Sequence, residues 1–311
     1  MLVLARRGFT LVELMIALVL LGIVSAAVYK VLVNSQRVYL AQTQTIDLQQ
    51  NIRAAAAILP AEFRELDAAD GDIKGMTATS LRIRAMRVLA FVCADPVLGG
   101  GIGQIVLTVR QTPIYGTRQT FSKGDSIMVY WEGNPTSRND DQWLAAQLQQ
   151  DATPGFCADS NVANNPAYLL TLQPQWINDP SLNRAGAITR GAPLRGFDKI
   201  AYELYQAPAP DTNWYLGQRN PASGGTIQPM IGPLIGPNGV TFSYYDSVGA
   251  VTADSSKVAQ IGFVLRARTA SPIRSAGTGK QAYKIDSVVS WVALRNNPRC
   301  GPRSLPPSPC N

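Results

Sequence analysis

The sequence predicts an α+β protein in which one long N-terminal helix packs on an antiparallel, β-rich globular domain. The apolar stretch at residues 9–29 is long enough for a membrane helix, and helical spacing of apolar residues continues to residue 66. Beyond residue 75, short runs of alternating apolar and polar residues are separated by turn-rich segments. These runs show no βαβ order, so we expect antiparallel strands.

The composition indicates a folded, loop-rich chain and excludes several kinds of chemistry. Of the 311 residues, 46% are apolar and 16% are charged, which is typical of a folded protein. The chain has no histidine, so it lacks the usual general base, metal ligand and pH switch. The net charge of +7 is scattered along the sequence, so no specific nucleic-acid partner is predicted.

The N-terminal segment has the composition of a membrane anchor. Arg6, Arg7 and Gly8 precede the apolar stretch, whose one charged residue is Glu13. About 20 apolar residues cross a hydrocarbon core of about 30 Å, so we expect a transmembrane helix over about residues 9–33. The arginines should stay cytoplasmic, which places the remaining chain across the membrane. A cleaved secretory signal and a plain anchor stay open as simpler interpretations. Neither explains Glu13, because a carboxylate in a membrane helix is costly and marks a functional site.

The motif RRGFTLVELM at residues 6–15 closely resembles the processing site of type IV prepilins and type II secretion pseudopilins. In that family a dedicated peptidase cuts after the glycine and methylates the new N-terminal residue, while the apolar helix is retained. The resemblance implies that residues 1–8 are a leader, that Gly8 and Phe9 form the cleavage and methylation site, and that mature chains begin with N-methylphenylalanine. It also implies that Glu13 pairs with the N-terminal amine of a neighbouring subunit and sets the axial register of a filament.

The second half of the helix is predicted to be amphipathic and to pack on the globular domain. Its apolar positions are Val33, Val38, Leu40, Ile46, Leu48, Ile52, Ala55, Ala56, Leu59, Phe63 and Leu66. Pro60 lacks an amide proton, so we expect it to bend or interrupt the helix near Ile58. The Asp- and Gly-rich residues 67–75 are predicted to form a linker to a globular domain at residues 67–311.

The globular domain is predicted to contain nine half-buried strands. They lie at residues 81–92, 104–110, 126–131, 168–173, 199–206, 213–218, 239–246, 258–268 and 283–295. In the C-terminal third, tyrosine-rich strands precede an I-x-F-x-L-x-x-R pattern. This order looks like that of J-class pseudopilins and PilW-like minor pilins.

The cysteines are predicted to form disulfides. Cys93, Cys157, Cys300 and Cys310 have no C-x-x-C spacing, which speaks against a zinc knuckle or a thioredoxin-like site. An even number in an exported protein indicates two bridges. We favour Cys93 with Cys157 and Cys300 with Cys310, because the second bridge would close a short Pro-rich tail. All three pairings stay open, since connectivity cannot be read from a sequence.

Other chemistry has weak support in the sequence. Asp140 and Asp141 are candidate calcium ligands, but no D-x-D-x-D-G series surrounds them and a solvated turn is the simpler interpretation. The run GTGKQ at residues 277–281 lacks the spacing of a phosphate loop. No carboxylate pair stands out for a hydrolase. We predict neither an enzyme nor a resident cofactor.

The resemblance implies a low-abundance, minor type IV pilin that acts in pilus assembly or initiation at or near the filament tip. Its partners would be the prepilin peptidase and other minor and major pilins, contacted through the N-terminal helix. Before assembly it would span the inner membrane once, with its body in the periplasm. The alternatives are a J-like minor pseudopilin of a type II secretion system and a DNA-uptake receptor subunit.

Overall fold

A computed structural model describes residues 10–98, 105–132, 136, 142–157, 165–172, 188–221, 224–274 and 280–295 of the chain. Helix α1 spans Leu11–Arg64. The strands are β1 (Ile73–Met76), β2 (Ser80–Leu98), β3 (Ile105–Arg110), β4 (Ser126–Trp131), β5 (Gln142–Gln147), β6 (Thr153–Phe156), β7 (Pro166–Leu172), β8 (Pro193–Gln206), β9 (Trp214–Arg219), β10 (Gln228–Leu234), β11 (Val240–Tyr245), β12 (Gln260–Arg268), β13 (Ile273–Arg274), β14 (Gln281–Ala282) and β15 (Ile285–Ala293). A 3-10 turn at Ser255–Lys257 precedes β12.

Helix α1 is continuous over 54 residues, or about 81 Å at 1.5 Å per residue. Of the two outcomes predicted for Pro60, a bend or an interruption near Ile58, the interruption is wrong, because α1 continues to Arg64. Proline removes one hydrogen bond near the C-terminal end of the helix. Leu59 and Phe63, on either side of it, are both fully buried against the sheet, and this packing holds the last turn in place.

The contact between α1 and the sheet begins later in the chain than the apolar spacing predicts. Leu48 is the first buried residue of α1, and Ala55, Leu59 and Phe63 continue the buried stripe at helical spacing. Four of the predicted contact residues are exposed instead, namely Val38, Leu40, Ile46 and Ala56. The first three are 48%, 57% and 52% exposed, and Ala56 lies on the solvent side of the helix.

The sheet is antiparallel throughout the described residues, so the predicted α+β class is confirmed. Thirteen of the strands form one sheet, whose main path is β11, β12, β10, β9, β8, β2, β3, β7 and β6. Strand β1 pairs with β2, β15 pairs with β12, and β4 lies between β5 and β8. Strands β13 and β14 form a separate hairpin.

Two hydrophobic cores share the long strands β2 and β8. The first lies under α1 and is centred on Phe63, whose ring makes edge-on contacts with Tyr202, Phe242 and Phe263 at 5.8, 6.2 and 6.2 Å between centroids. The second is built by β3, β4, β5 and β7 against later residues of β2. Between the two cores the pairing register of β2 shifts, at Met86 to Val88.

Residues 67–75 are more ordered than the predicted linker. Ile73 and Gly75 belong to β1, which pairs with β2. Asp72 is only 1% exposed, and Asp67 and Asp70 are linked to it through a hydrogen-bonded turn. The polar composition of this segment therefore reflects a buried ion cluster, described below.

Candidate functional site

The first half of α1 is an apolar surface that is largely exposed in the described part of the chain. From Leu11 to Leu32 the large apolar side chains are 52–76% exposed. Exposing so much contiguous apolar surface to water is unfavourable, and it is far more than a soluble monomer usually shows. The described part of the chain has one helix long and apolar enough to cross a membrane, and it is this one.

A reciprocal capping box forms the N-terminal turn of α1. The Thr10 side chain accepts a hydrogen bond from the Glu13 amide at 3.3 Å, and the Thr10 amide donates to Glu13 Oε2 at 2.9 Å. The Thr10 hydroxyl also donates to Oε2, at 3.1 Å. Glu13 is exposed, and these contacts hold its carboxylate at the N-terminal end of its own helix, where the helix dipole favours a negative charge.

The other predicted residues of the processing site, Arg6, Arg7, Gly8 and Phe9, lie outside the described residues. Thr10 was not predicted as a functional residue. The spacing Thr-x-x-Glu immediately before an apolar run is a readable signal for a capping box, and it could have assigned Thr10 its role.

Residues 4–29 match the family described as the prokaryotic N-terminal methylation motif. This motif supports membership of the type IV pilin and pseudopilin family. No curated protein and no solved structure gives a significant match to the chain. The matched segment contains Gly8, Phe9 and Glu13, and it ends at Tyr29 within the exposed apolar part of α1.

The motif and the apolar helix together fit membrane anchoring followed by incorporation into a filament. The pilin motif implies processing by the prepilin peptidase and assembly with other pilins. It points to a structural protein and not to an enzyme. Exposed apolar side chains on α1 can contact lipid in the membrane state and other apolar helices in the assembled state.

A bidentate ion pair joins the last turns of α1 to the sheet. Arg87 on β2 donates to both oxygens of Glu62 on α1, each at 2.9 Å. Arg87 also lies 3.4 Å from Asp198 on β8, and Asp198 lies 3.5 Å from Arg118. Paired planar contacts of this kind fix orientation as well as distance. Burial raises the pKa of the Tyr202 phenol beneath this site, and the Glu62 carboxylate adds to the rise.

A second, more deeply buried ion cluster holds the chain that follows α1. Asp72 accepts from Arg84 Nε on β2 at 3.1 Å and from Arg195 Nη2 on β8 at 3.3 Å. The two guanidinium groups also lie over the Phe197 ring, at 5.3 and 5.0 Å from its centroid. Burial raises the pKa of the neighbouring Asp70 carboxyl, and Asp67 adds to the rise while Arg195 opposes it. Sequence reasoning missed this cluster entirely.

The structure joins Cys93 to Cys157 in a buried disulfide with a Cα–Cα distance of 5.4 Å. The two cysteines are 64 residues apart in the sequence. The bridge lies near the C-terminal end of β2, where both cysteines pack with Ala167. Disulfides of this kind are usual in exported proteins. The other predicted pair, Cys300 and Cys310, lies outside the described residues.

Two open clefts lie among the described residues of the globular domain. One of them, of about 340 Å³, lies between α1 and the end of β12, and Asp47, Asn51 and Arg268 are among its lining residues. Asn51 donates to the Gly232 carbonyl there at 2.8 Å. Within the described ranges no group of three or more acidic or cysteine side chains is arranged to hold a metal ion. The candidate calcium ligands Asp140 and Asp141 lie outside those ranges.

Proposed function

We propose that the protein is a minor type IV pilin that is incorporated through α1 and acts in pilus initiation at or near the filament tip. The observation that carries the proposal is the prepilin motif at residues 4–29 on a helix whose first half is exposed and apolar. The large β domain attached to this helix also supports a low-abundance subunit. Globular domains of this size would crowd one another in a filament made of this protein alone.

In this proposal the peptidase removes residues 1–8 at the cytoplasmic side of the inner membrane and methylates Phe9. The domain of residues 67–311 lies in the periplasm. When the helix enters the filament, Glu13 meets the amine of a neighbouring Phe9 in apolar surroundings. An unpaired carboxylate would be costly there, so subunits are favoured at the one axial position where the charges pair.

Mass spectrometry of sheared surface filaments tests the assignment. We expect peptides of this chain at low abundance relative to the major pilin, with an N-terminal peptide that begins at methylated Phe9. Processed chain that is found only in membrane fractions would instead support a J-like pseudopilin of a type II secretion system. A chain that retains Met1 would contradict the proposal.

Variants of the capping box distinguish the effect of the Glu13 charge on assembly from the part that Glu13 takes in capping α1. Glu13→Gln keeps a side chain that can accept from Thr10 but removes the charge, so we expect normal processing and at least a tenfold loss of incorporation into filaments. Thr10→Ala weakens the cap by about 1 kcal/mol and keeps the charge, so we expect incorporation to stay within about twofold of wild type. If Glu13→Gln is incorporated normally, Glu13 does not set the register through its charge.

A further inference from the structure

Strand β15 forms one edge of the large sheet. It pairs with β12 in an unbroken register, from Ile285 with Arg268 to Ala293 with Gln260, and no other described strand pairs with it. An edge strand presents a row of N–H and C=O groups that can hydrogen-bond to a further strand. The question is therefore which of these groups are open and what kind of strand they would accept.

Two hydrogen bonds that flank β15 fix which of its backbone groups point away from β12. The Thr269 amide donates to the Lys284 carbonyl at 2.9 Å, and the Leu294 amide donates to the Ala259 carbonyl at 3.0 Å. Because the backbone direction alternates along an antiparallel strand, the even-numbered residues of β15 turn their backbone groups toward β12. The residues that turn theirs to the open edge are Ile285, Ser287, Val289, Trp291 and Ala293.

Most of these outward groups have no partner in the part of the chain that the structure describes. The Ser287 amide donates to Asp286 Oδ1 at 2.8 Å. The outward N–H and C=O groups of Ile285, Val289 and Trp291 make no hydrogen bond to any described residue. These three residues are 57%, 50% and 59% exposed, so a further strand could reach them.

This edge lacks the features that usually keep edge strands from pairing, which include short length, lysine, proline and bulges. Strand β15 has nine residues without proline or lysine, its register does not shift, and its one charged residue is Asp286. By contrast, β6 at the other end of the main sheet path has four residues and contains Pro154. A strand added to β15 would also cover the apolar side chains that share its outward face, since cross-strand neighbours pack on one another.

The direction of β15 indicates which partner the edge accepts. Beside the start of β15 the Ser271 amide donates to Gln44 of α1 at 3.3 Å, and just after its end the Arg295 amide donates to the Arg64 carbonyl at 2.7 Å. Strand β15 therefore runs in the same direction as α1, away from the exposed apolar half of the helix.

This direction excludes pairing of the edge with itself in two copies anchored in one membrane. Antiparallel pairing of two β15 strands needs a two-fold axis perpendicular to the sheet, which would point the two α1 helices in opposite directions. A two-fold axis along the strands would keep the helices parallel, but it would set N–H opposite N–H and C=O opposite C=O. A different subunit, anchored through its own parallel helix, meets neither obstacle.

We propose that the open edge of β15 pairs with an edge strand of a different, neighbouring pilin, so that the sheet continues across the boundary between the two subunits. Backbone hydrogen bonds supply the affinity in this mode of recognition, and alternate side chains supply the specificity. The partner strand is apolar on the face that meets Ile285, Val289 and Trp291. This inference rests on the proposed function, because the neighbour is a subunit of the same assembly.

Photocrosslinking in filament-producing cells, read by mass spectrometry, tests this pairing. The full chain carries p-benzoylphenylalanine in place of Ser287 or, as the control, in place of Val251, which is 77% exposed after β11. We expect the probe at residue 287 to crosslink about tenfold more strongly, and to one segment of another protein that has its own prepilin motif. Crosslinks within the chain, to a second copy, or to a protein without that motif would overturn the proposal, as would equal crosslinking from both positions.

A proline at residue 289 tests whether backbone hydrogen bonds hold the partner. Val289→Pro removes an outward N–H and no bond to β12, as edge strands tolerate, so the crosslink from residue 287 should fall by about tenfold. Val289→Ala keeps the amide and should stay within about threefold of wild type. Circular dichroism checks that both variants fold, and if Val289→Pro does not, Val289→Lys places a charge on the covered face and should cause the same loss.

Two results separate this inference from the proposed function. Methylated Phe9 in sheared filaments, with a crosslink that Val289→Pro or Val289→Lys leaves unchanged, would overturn strand pairing and keep the pilin assignment. A chain that retains Met1 would contradict the assignment and the strand pairing together.

Discussion

Substitution of Asp72 offers the strongest test of how the junction between α1 and the sheet is stabilised. Asp72 is 1% exposed, and it accepts from the Asp67 amide at 2.9 Å as well as from Arg84 and Arg195. Asp72→Asn keeps the shape but leaves two guanidinium groups, 10% and 8% exposed, without their shared counterion. Asp70 stays near them, 3.6 Å from Arg195.

The expected loss follows from the burial of this cluster. Removing one partner of a buried ion pair costs about 3–5 kcal/mol. With a urea m-value of about 3 kcal/mol/M, the unfolding midpoint of Asp72→Asn should fall by about 1 to 2 M. The assay is urea unfolding of the full chain in detergent micelles, followed by near-ultraviolet circular dichroism.

The matched control for this substitution is an exposed ion pair at the end of the same helix. Arg295 lies 3.0 Å from Glu65, but the two side chains are 68% and 39% exposed. Such pairs contribute at most about 1 kcal/mol, so Arg295→Ala should lower the midpoint by no more than about 0.3 M. If the midpoints of Asp72→Asn and Arg295→Ala are the same, the buried cluster does not stabilise the junction and the reasoning is wrong.

Three further predictions follow from the cores and the disulfide. Phe63→Ala should lower the unfolding free energy by about 3–5 kcal/mol, whereas Ile58→Ala, at a position 41% exposed, should lower it by less than about 1 kcal/mol in the same urea assay. Burial raises the pKa of the Tyr244 phenol, whose hydroxyl donates to the Thr77 carbonyl at 2.9 Å. The folded state therefore holds this proton more tightly, so wild type should lose stability as the pH rises above about 10, and Tyr244→Phe should show a shallower decline between pH 9 and 11. Cys93→Ser should cost about 2–5 kcal/mol in oxidised protein, and the difference from wild type should shrink under strong reductant.

The strands that the sequence predicts correctly are those that a pattern of neighbouring residues specifies. All nine predicted strand segments overlap an observed strand, because period-two alternation is a property of a few neighbouring residues. Strands β6 and β10 were missed, since Pro154, Pro229 and Pro233 argue against a strand within each run. Strand β5, with the sequence QWLAAQ, has helix-forming residues and becomes a strand through pairing with β4.

The ion clusters could not be predicted because their partners are distant in the sequence. Asp72 binds Arg84 and Arg195, which lie 12 and 123 residues further along the chain. Composition shows only a polar segment after the helix, and a polar segment is also the signature of a linker. The long-range register of β2 and β8 brings the charges together, and that register is a property of the folded sheet.

The part of α1 between Glu13 and the globular domain is an unbroken helix that acts as a rigid spacer. Glu13 and Leu48, the first buried residue, are separated by 35 residues of unbroken helix, or about 52 Å. One inserted residue would move the globular body about 1.5 Å along the axis and turn it by about 100°. Seven inserted residues would move it about 10 Å and turn it by only about 20°. Insertions of different length therefore change the rotation of the globular body about the helix axis and its position along that axis in different proportions. A series of such insertions measures whether the assembled filament tolerates a change in rotation or a change in axial position.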